Sequence, residues 1–204
     1  MRHLLKYRGR FTTGGNLVPR GFILYVARFL GSFLVLYFGT LLIIGLSSKD
    51  HYYSSFVARY LDFVTPLRWS LLHASDAAVR LLGYQTSYQD DYTLAIDGGR
   101  GIRIVYSCVG YGVMSFWAAF IIANYGNIGT KIKWLLSGWM ILWSINVLRI
   151  SLLLLADVRN WGMPLGLDHH TLFNVAAYGA IFFLIYVYDK RHSAAYRQPS
   201  PDEN

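Results

Sequence analysis

Two stretches of this chain carry no charged side chain for longer than a soluble domain normally allows: Phe29–Ser48 and Ile104–Thr130. A helix crossing a bilayer needs about 20 mostly apolar residues. Trp134–Ala156 is interrupted only by Arg149, and Thr171–Tyr188 is uncharged. Composition agrees: 54% of residues are hydrophobic and only 15% charged, against about a quarter charged in soluble domains. The reading is an all-α integral membrane protein, a single domain over residues 1–190. Its spans are expected at about 22–46, 107–125, 134–156 and 170–188. The first apolar run exceeds the ~7–15 residues of a signal-peptide core, so it is expected to stay as a span. A net charge of +8 would suggest nucleic acid in a soluble chain, but here the charges flank apolar runs and no nucleic-acid partner is expected.

Residues 54–83 read differently. Arg59, Asp62, His73, Asp76 and Arg80 fall on one side of a helical wheel, and most apolar residues fall elsewhere. Three arginines and two aspartates make crossing costly, and Pro66 should break the run. An amphipathic helix or short helical hairpin on the outer membrane surface is expected, with a fifth span as the alternative. Residues 92–106 read as an outer β-hairpin: Leu94 and Ile96 alternate, Asp97-Gly98-Gly99 signals a turn, and Ile102, Ile104 and Tyr106 return. The polar residues 191–204 read as a disordered tail.

Charge sets the orientation. Arg2, Lys6, Arg8, Arg10 and Arg20 precede the first span, Lys131 and Lys133 lie between the second and third, and Lys190, Arg191 and Arg197 follow the last. The positive-inside rule places all three groups in the cytoplasm. Cys108, Arg149 and the pair His169 and His170 then converge on one outer layer, although about 40 and 20 positions separate them in the chain.

Each of these residues admits two readings. Cys108 is the only cysteine, so no intramolecular disulfide forms. A thiolate is a ready nucleophile for a carbonyl, and a nearby cation favours it, yet a free cysteine is often plain packing. Arg149 is a costly charge on a spanning helix. It suits an oxyanion or a substrate carbonyl, or else an ion pair with Asp97, Asp157 or Asp168. Asn146, one turn earlier, offers an amide to the same place. His169 or His170 supplies a general acid or base, oriented by Asp168, or merely lies in an interfacial loop. Asp-His-His lacks a spaced partner set, so no metal is expected. No cofactor is expected.

The order of these motifs carries a resemblance. A hairpin leads into Ser107-Cys108-Val109-Gly110, Asn146-Val147-Leu148-Arg149 follows on the next span, and Asp168-His169-His170-Thr171-Leu172-Phe173-Asn174 opens the last. This pattern resembles a compact variant of the exosortase/archaeosortase family, multipass membrane cysteine transpeptidases. The resemblance implies Cys108 as nucleophile, Arg149 as stabiliser of the carbonyl or oxyanion, and His170, with His169 as alternative, as acid/base. It implies partners too: exported proteins with a C-terminal motif, a spanning helix and a basic cluster, and a lipid or glycan acceptor. It implies a bacterial inner-membrane protein with an outward-facing site. A non-catalytic scaffold of a surface-polysaccharide or export system is the alternative, and a small anion transporter is a third reading.

Overall fold

In the computed structural model, which describes residues 20–48, 52–159 and 169–195, most of the chain is helical. Helix α1 (Arg20–Ser47) has 28 residues, about 42 Å at 1.5 Å per residue, and exceeds a hydrocarbon core of roughly 30 Å. An 18-residue stretch within Gly21–Ser47 has a mean hydropathy of 2.2. Helix α5 (Ile128–Arg159) has 32 residues and contains an 18-residue stretch with a mean hydropathy of 1.8. Among the described residues these two helices are long and apolar enough to cross a membrane. Their outward residues are large and bare: Val35 is 73% and Met140 63% exposed. Such continuous apolar surface calls for lipid or a partner.

The second apolar run forms a shorter helix than its composition predicts. Helix α4 (Tyr111–Ala123) has 13 residues, about 20 Å of rise. The residues before it, Tyr106–Val109, form a 3₁₀ turn, so Cys108 lies ahead of the helix rather than on it. Gly110 separates the two elements with φ +78°, in the left-handed region. The break is local backbone conformation, which hydropathy does not register. Helix α6 (His169–Ala195) completes the bundle. It runs through residues 191–195, where the sequence suggested disorder; residues 196–204 lie outside the described part.

Between α1 and α4 the chain forms helix α2 (Ser55–Tyr60), helix α3 (Val64–Leu81), and strands β1 (Thr86–Asp90), β2 (Thr93–Ile96) and β3 (Ile102–Arg103). The helical break falls at 61–63, upstream of Pro66. The Asp62 carboxylate accepts the Val64 and Thr65 N–H groups at 3.1 and 3.0 Å, a capping contact that starts α3. Pro66 then sits in the first turn, where its missing N–H costs nothing.

The sheet is antiparallel in the order β1-β2-β3, with Tyr88 opposite Leu94 and Leu94 opposite Ile102. The expected hairpin is therefore a three-stranded sheet. Its return strand stops at Arg103, and residues 104–106 lead into the 3₁₀ turn. All four residues of β2 are buried, so this strand, expected from Leu94 and Ile96, is covered on both faces. Strand β1 is polar and exposed. It is held to α3 by Asp76, whose carboxylate accepts hydrogen bonds from Arg80 Nε (2.8 Å), Tyr88 Oη (2.9 Å) and the Thr86 hydroxyl.

Two cores result. One joins α3, the sheet and the C-terminal half of α5 through Leu71, Leu94, Ile104 and Leu154. The other joins α4, α5 and α6 through Trp117, Leu142 and Leu184. Helix α1 lies against α4, with Phe29 edge-on to Phe116 at 5.1 Å and Tyr37 beside Tyr111 at 5.6 Å between ring centroids. Asp157, near the end of α5, accepts the Arg100 N–H at 2.7 Å and pairs with the Arg100 guanidinium at 3.5 Å. It thus fixes the β2–β3 loop and is engaged away from Arg149.

Candidate active site

The 3₁₀ turn that carries Cys108 begins from extended backbone at Val105, whose carbonyl accepts the Cys108 N–H at 2.9 Å. It ends at Gly110, whose carbonyl accepts the Met114 N–H at 3.0 Å and so opens α4. Helix α5 holds the far end of the turn: Asn146 Nδ2 donates to the Val109 carbonyl at 3.1 Å. Arg149 follows one helical turn later, with only 7% of its surface exposed.

Ser107, Gly110, Asn146 and Arg149 line one cavity of about 820 Å³, bounded by α1, the turn and α4, α5 and α6. Its polar end is formed by these residues and Asn174. Farther along it is aromatic and aliphatic, with Phe33, Phe116 and Ile181. Phe38 on α1 and Phe182 on α6 also line it and are 58% and 71% exposed. Both α1 and α6 thus line the cavity with aromatic side chains that are also exposed on the outside of the bundle.

The structure brings three sequence-selected positions together: the Cys108 turn, Asn146 and Arg149. Cys108 itself is half-buried and packs against the core shared by α3, the sheet and α5. Ser107 and Gly110, on either side of it in the chain, line the cavity, and Cys108 is not among the lining residues. His169 and His170 are the first two residues of α6. His170 precedes the cavity-lining Asn174 by one helical turn. Asp168 lies outside the described residues. No cluster of metal-ligating side chains occurs among the described residues.

Two participants escaped the sequence reading. Ser107 was read only as a small neighbour of the cysteine, yet it lines the cavity. Arg68 was counted only as a cost to membrane insertion. It is 5% exposed and donates from Nε to the Ile104 carbonyl at 2.9 Å. A charge on the apolar side of the α3 wheel was the signal available for it.

Residues 53–187, about two thirds of the chain, match the family described as transmembrane exosortase (Exosortase_EpsH). The chain belongs to the transmembrane exosortase family. No curated protein and no solved structure matches it. The exosortase match spans the Cys108 turn, Asn146, Arg149 and both histidines. All of α1 precedes it, so the cavity wall formed by Phe33 and Phe38 comes from outside the matched region.

Proposed function

We propose that this exosortase-family protein is a membrane cysteine endopeptidase/transpeptidase acting on the C-terminal sorting tails of exported proteins. The observation that carries the reading is the amphiphilic cavity. Its lining joins Ser107 and Gly110 of the Cys108 turn to Asn146 and Arg149, and combines them with aromatic and aliphatic side chains of α1, α4 and α6. A tail with a polar motif followed by a spanning helix has the same polarity. The helix enters between α1 and α6, and the motif comes to rest at the Cys108 turn.

In the proposed reaction Cys108 Sγ attacks the scissile carbonyl, reaching the cavity by rotation about its side-chain bond. The Arg149 guanidinium holds the oxygen as charge develops on it. The C–N bond breaks, and the leaving amine takes a proton from His170, or from His169 in the alternative assignment, with Asp168 as orienting carboxylate. The thioester then passes its acyl group to a hydroxyl or amine of a lipid or glycan acceptor, or to water; the acceptor's proton goes to the now neutral histidine, the C–S bond breaks, and the Cys108 thiolate is released beside the restored imidazolium. We place the protein in the bacterial inner membrane with four spans, both termini cytoplasmic and the site outward. Basic side chains support that orientation: Arg28, Lys190 and Arg191 lie over aromatic rings of Tyr125, Tyr186 and Trp134 at the end of the bundle remote from Cys108.

A second reading is a non-catalytic scaffold, favoured by the packing of Cys108 against the core. One experiment separates the two. A tailed membrane precursor is co-expressed with the wild-type chain or with Cys108→Ala, and its size is followed by immunoblot. Loss of processing with normal accumulation of the variant supports the enzyme. Normal processing by Cys108→Ala gives the scaffold reading first place.

A further inference from the structure

We infer that Arg68 is a positioning residue for the Cys108 turn, an inference that rests on the reading of Cys108 as the nucleophile. The turn has two ends, and a side chain from a different helix grips a backbone carbonyl at each. On the far side, Asn146 of α5 holds the Val109 carbonyl. On the near side, Arg68 of α3 holds the Ile104 carbonyl, through Nε at 2.9 Å and also through Nη2. Cys108 sits between these two fixed points.

The guanidinium is also sandwiched. Its central carbon lies 3.6 Å from the Tyr92 ring centroid and 4.5 Å from that of Tyr106. Tyr106 is the first residue of the 3₁₀ turn. Tyr92 is tied to the same strand, because its carbonyl accepts the Ile104 N–H at 2.9 Å. Arg68 therefore contacts the segment entering the turn at a carbonyl and a ring, and braces both against Tyr92. A planar fork that donates at its edge and stacks on its faces can make all these contacts at once; an ammonium cannot.

Burial of a charge needs a reason. Among the described residues Arg68 forms no ion pair, and its hydrogen bonds go to the one carbonyl. Had α3 needed only packing here, an aliphatic residue would have served with less desolvation. The directional grip on residues 104–106 is what the charge contributes. Buried Ser75, on the same helix, donates to the Val147 carbonyl at 3.5 Å and makes no hydrogen bond to the turn. It is the natural control.

The test uses the single thiol. Cys108 is the only cysteine, so iodoacetamide labelling of the full chain in detergent micelles reports on it alone. Arg68→Gln is expected to be labelled at least fivefold faster than wild type, because one end of the turn is released and the packed thiol becomes accessible. Asn146→Ala, which releases the other end, should change in the same direction, Arg68→Lys should fall between, and Ser75→Ala should match wild type. Labelling of Arg68→Gln at the wild-type rate overturns the inference, as does an equal acceleration in Ser75→Ala. If Arg68→Gln does not accumulate folded, Arg68→Lys decides by the same readout. Failure of both to fold makes Arg68 a folding residue and also overturns it. Labelling needs no turnover, so this result is separable from failure of the nucleophile reading, which Cys108→Ala tests by itself.

Discussion

Asn146 occupies the space that a side chain at Gly110 would need: a Cβ there would lie 2.5 Å from Asn146 Nδ2. The same amide donates to the Val109 carbonyl, so the contact that holds the Cys108 turn also excludes every residue but glycine after it. Gly110→Ala adds a second cost, since φ +78° disfavours L-residues by about 1–2 kcal/mol. The two costs separate in a double-mutant cycle. Gly110→Ala alone should destabilise the protein by more than its backbone strain. In the Asn146→Ala background the added cost should shrink to that strain. Thermal unfolding of the four proteins in detergent measures it, and strict additivity would show that the clash is relieved in some other way.

Arg149 is assigned a role in which its shape matters as much as its charge. Arg149→Lys keeps a cation in the cavity but loses the planar fork. Loss of one oxyanion donor typically costs about 10²–10³ in rate. Precursor processing by Arg149→Lys should therefore fall about 100-fold or more, with the protein still present in the membrane. Pulse-chase of a tailed precursor provides the rate. Processing within about threefold of wild type would remove Arg149 from the chemistry.

What the sequence made legible was the helical class and the gathering of Cys108, Asn146 and Arg149. Apolar runs free of charge and the alternation of basic flanks are one-dimensional signals; Cys108 lies near the start of one such run, and Arg149 is the charge that interrupts another. The details around them depend on contacts between distant segments. Strand β1 is polar and exposed and exists because Asp76 on α3 binds Thr86 and Tyr88; nothing in Thr86–Asp90 alone announces it. Arg68 stands out in the sequence only as a charge on the apolar side of α3, and its acceptor, the Ile104 carbonyl 36 residues away, is given by the fold. The 3₁₀ turn at Cys108 interrupts an unbroken hydrophobic stretch, and hydropathy is blind to the sign of φ at Gly110.

The crossing of α4 and α5 makes a sharper stability prediction. A Cβ at Gly138 would lie 2.0 Å from Trp117 Nε1 and 2.4 Å from Cε2. Trp117 is fully buried, and its indole N–H donates to the Trp134 carbonyl at 3.1 Å. It cannot move aside without breaking that bond. Overpacking typically costs about 1–3 kcal/mol and sometimes more. Gly138→Ala should lie at or above the top of that range, seen as a lower unfolding temperature in detergent or as poor accumulation. Gly39→Ala, where nothing lies within 4 Å, should be near neutral. Equal behaviour of the two would mean that the helices separate freely at this point.

The polar link between α3 and β1 gives a pH dependence with a definite sign. Burial alone would push the Asp76 carboxyl up, but hydrogen bonds from Thr86, Arg80 and Tyr88, with the Arg80 charge, outweigh it and hold the group below its usual value. A depressed folded-state pKa stabilises the fold above the unfolded value, about 3.9 for aspartate, and that contribution is lost as pH falls through the folded value. Tyr88 has the opposite shift: burial first, then its hydrogen bond to Asp76 and the carboxylate charge, raise it to about 12. Its contribution is present below about pH 10 and is lost as pH rises through about 12. Asp76→Asn should therefore be less stable than wild type at neutral pH, and the gap should close below about pH 4. Tyr88→Phe should flatten the alkaline limb and steepen nothing in acid. Unfolding temperatures across the pH range check both. A gap between wild type and Asp76→Asn that stays constant down to pH values well below about 4 would show that the carboxylate's charge does not hold β1 to α3.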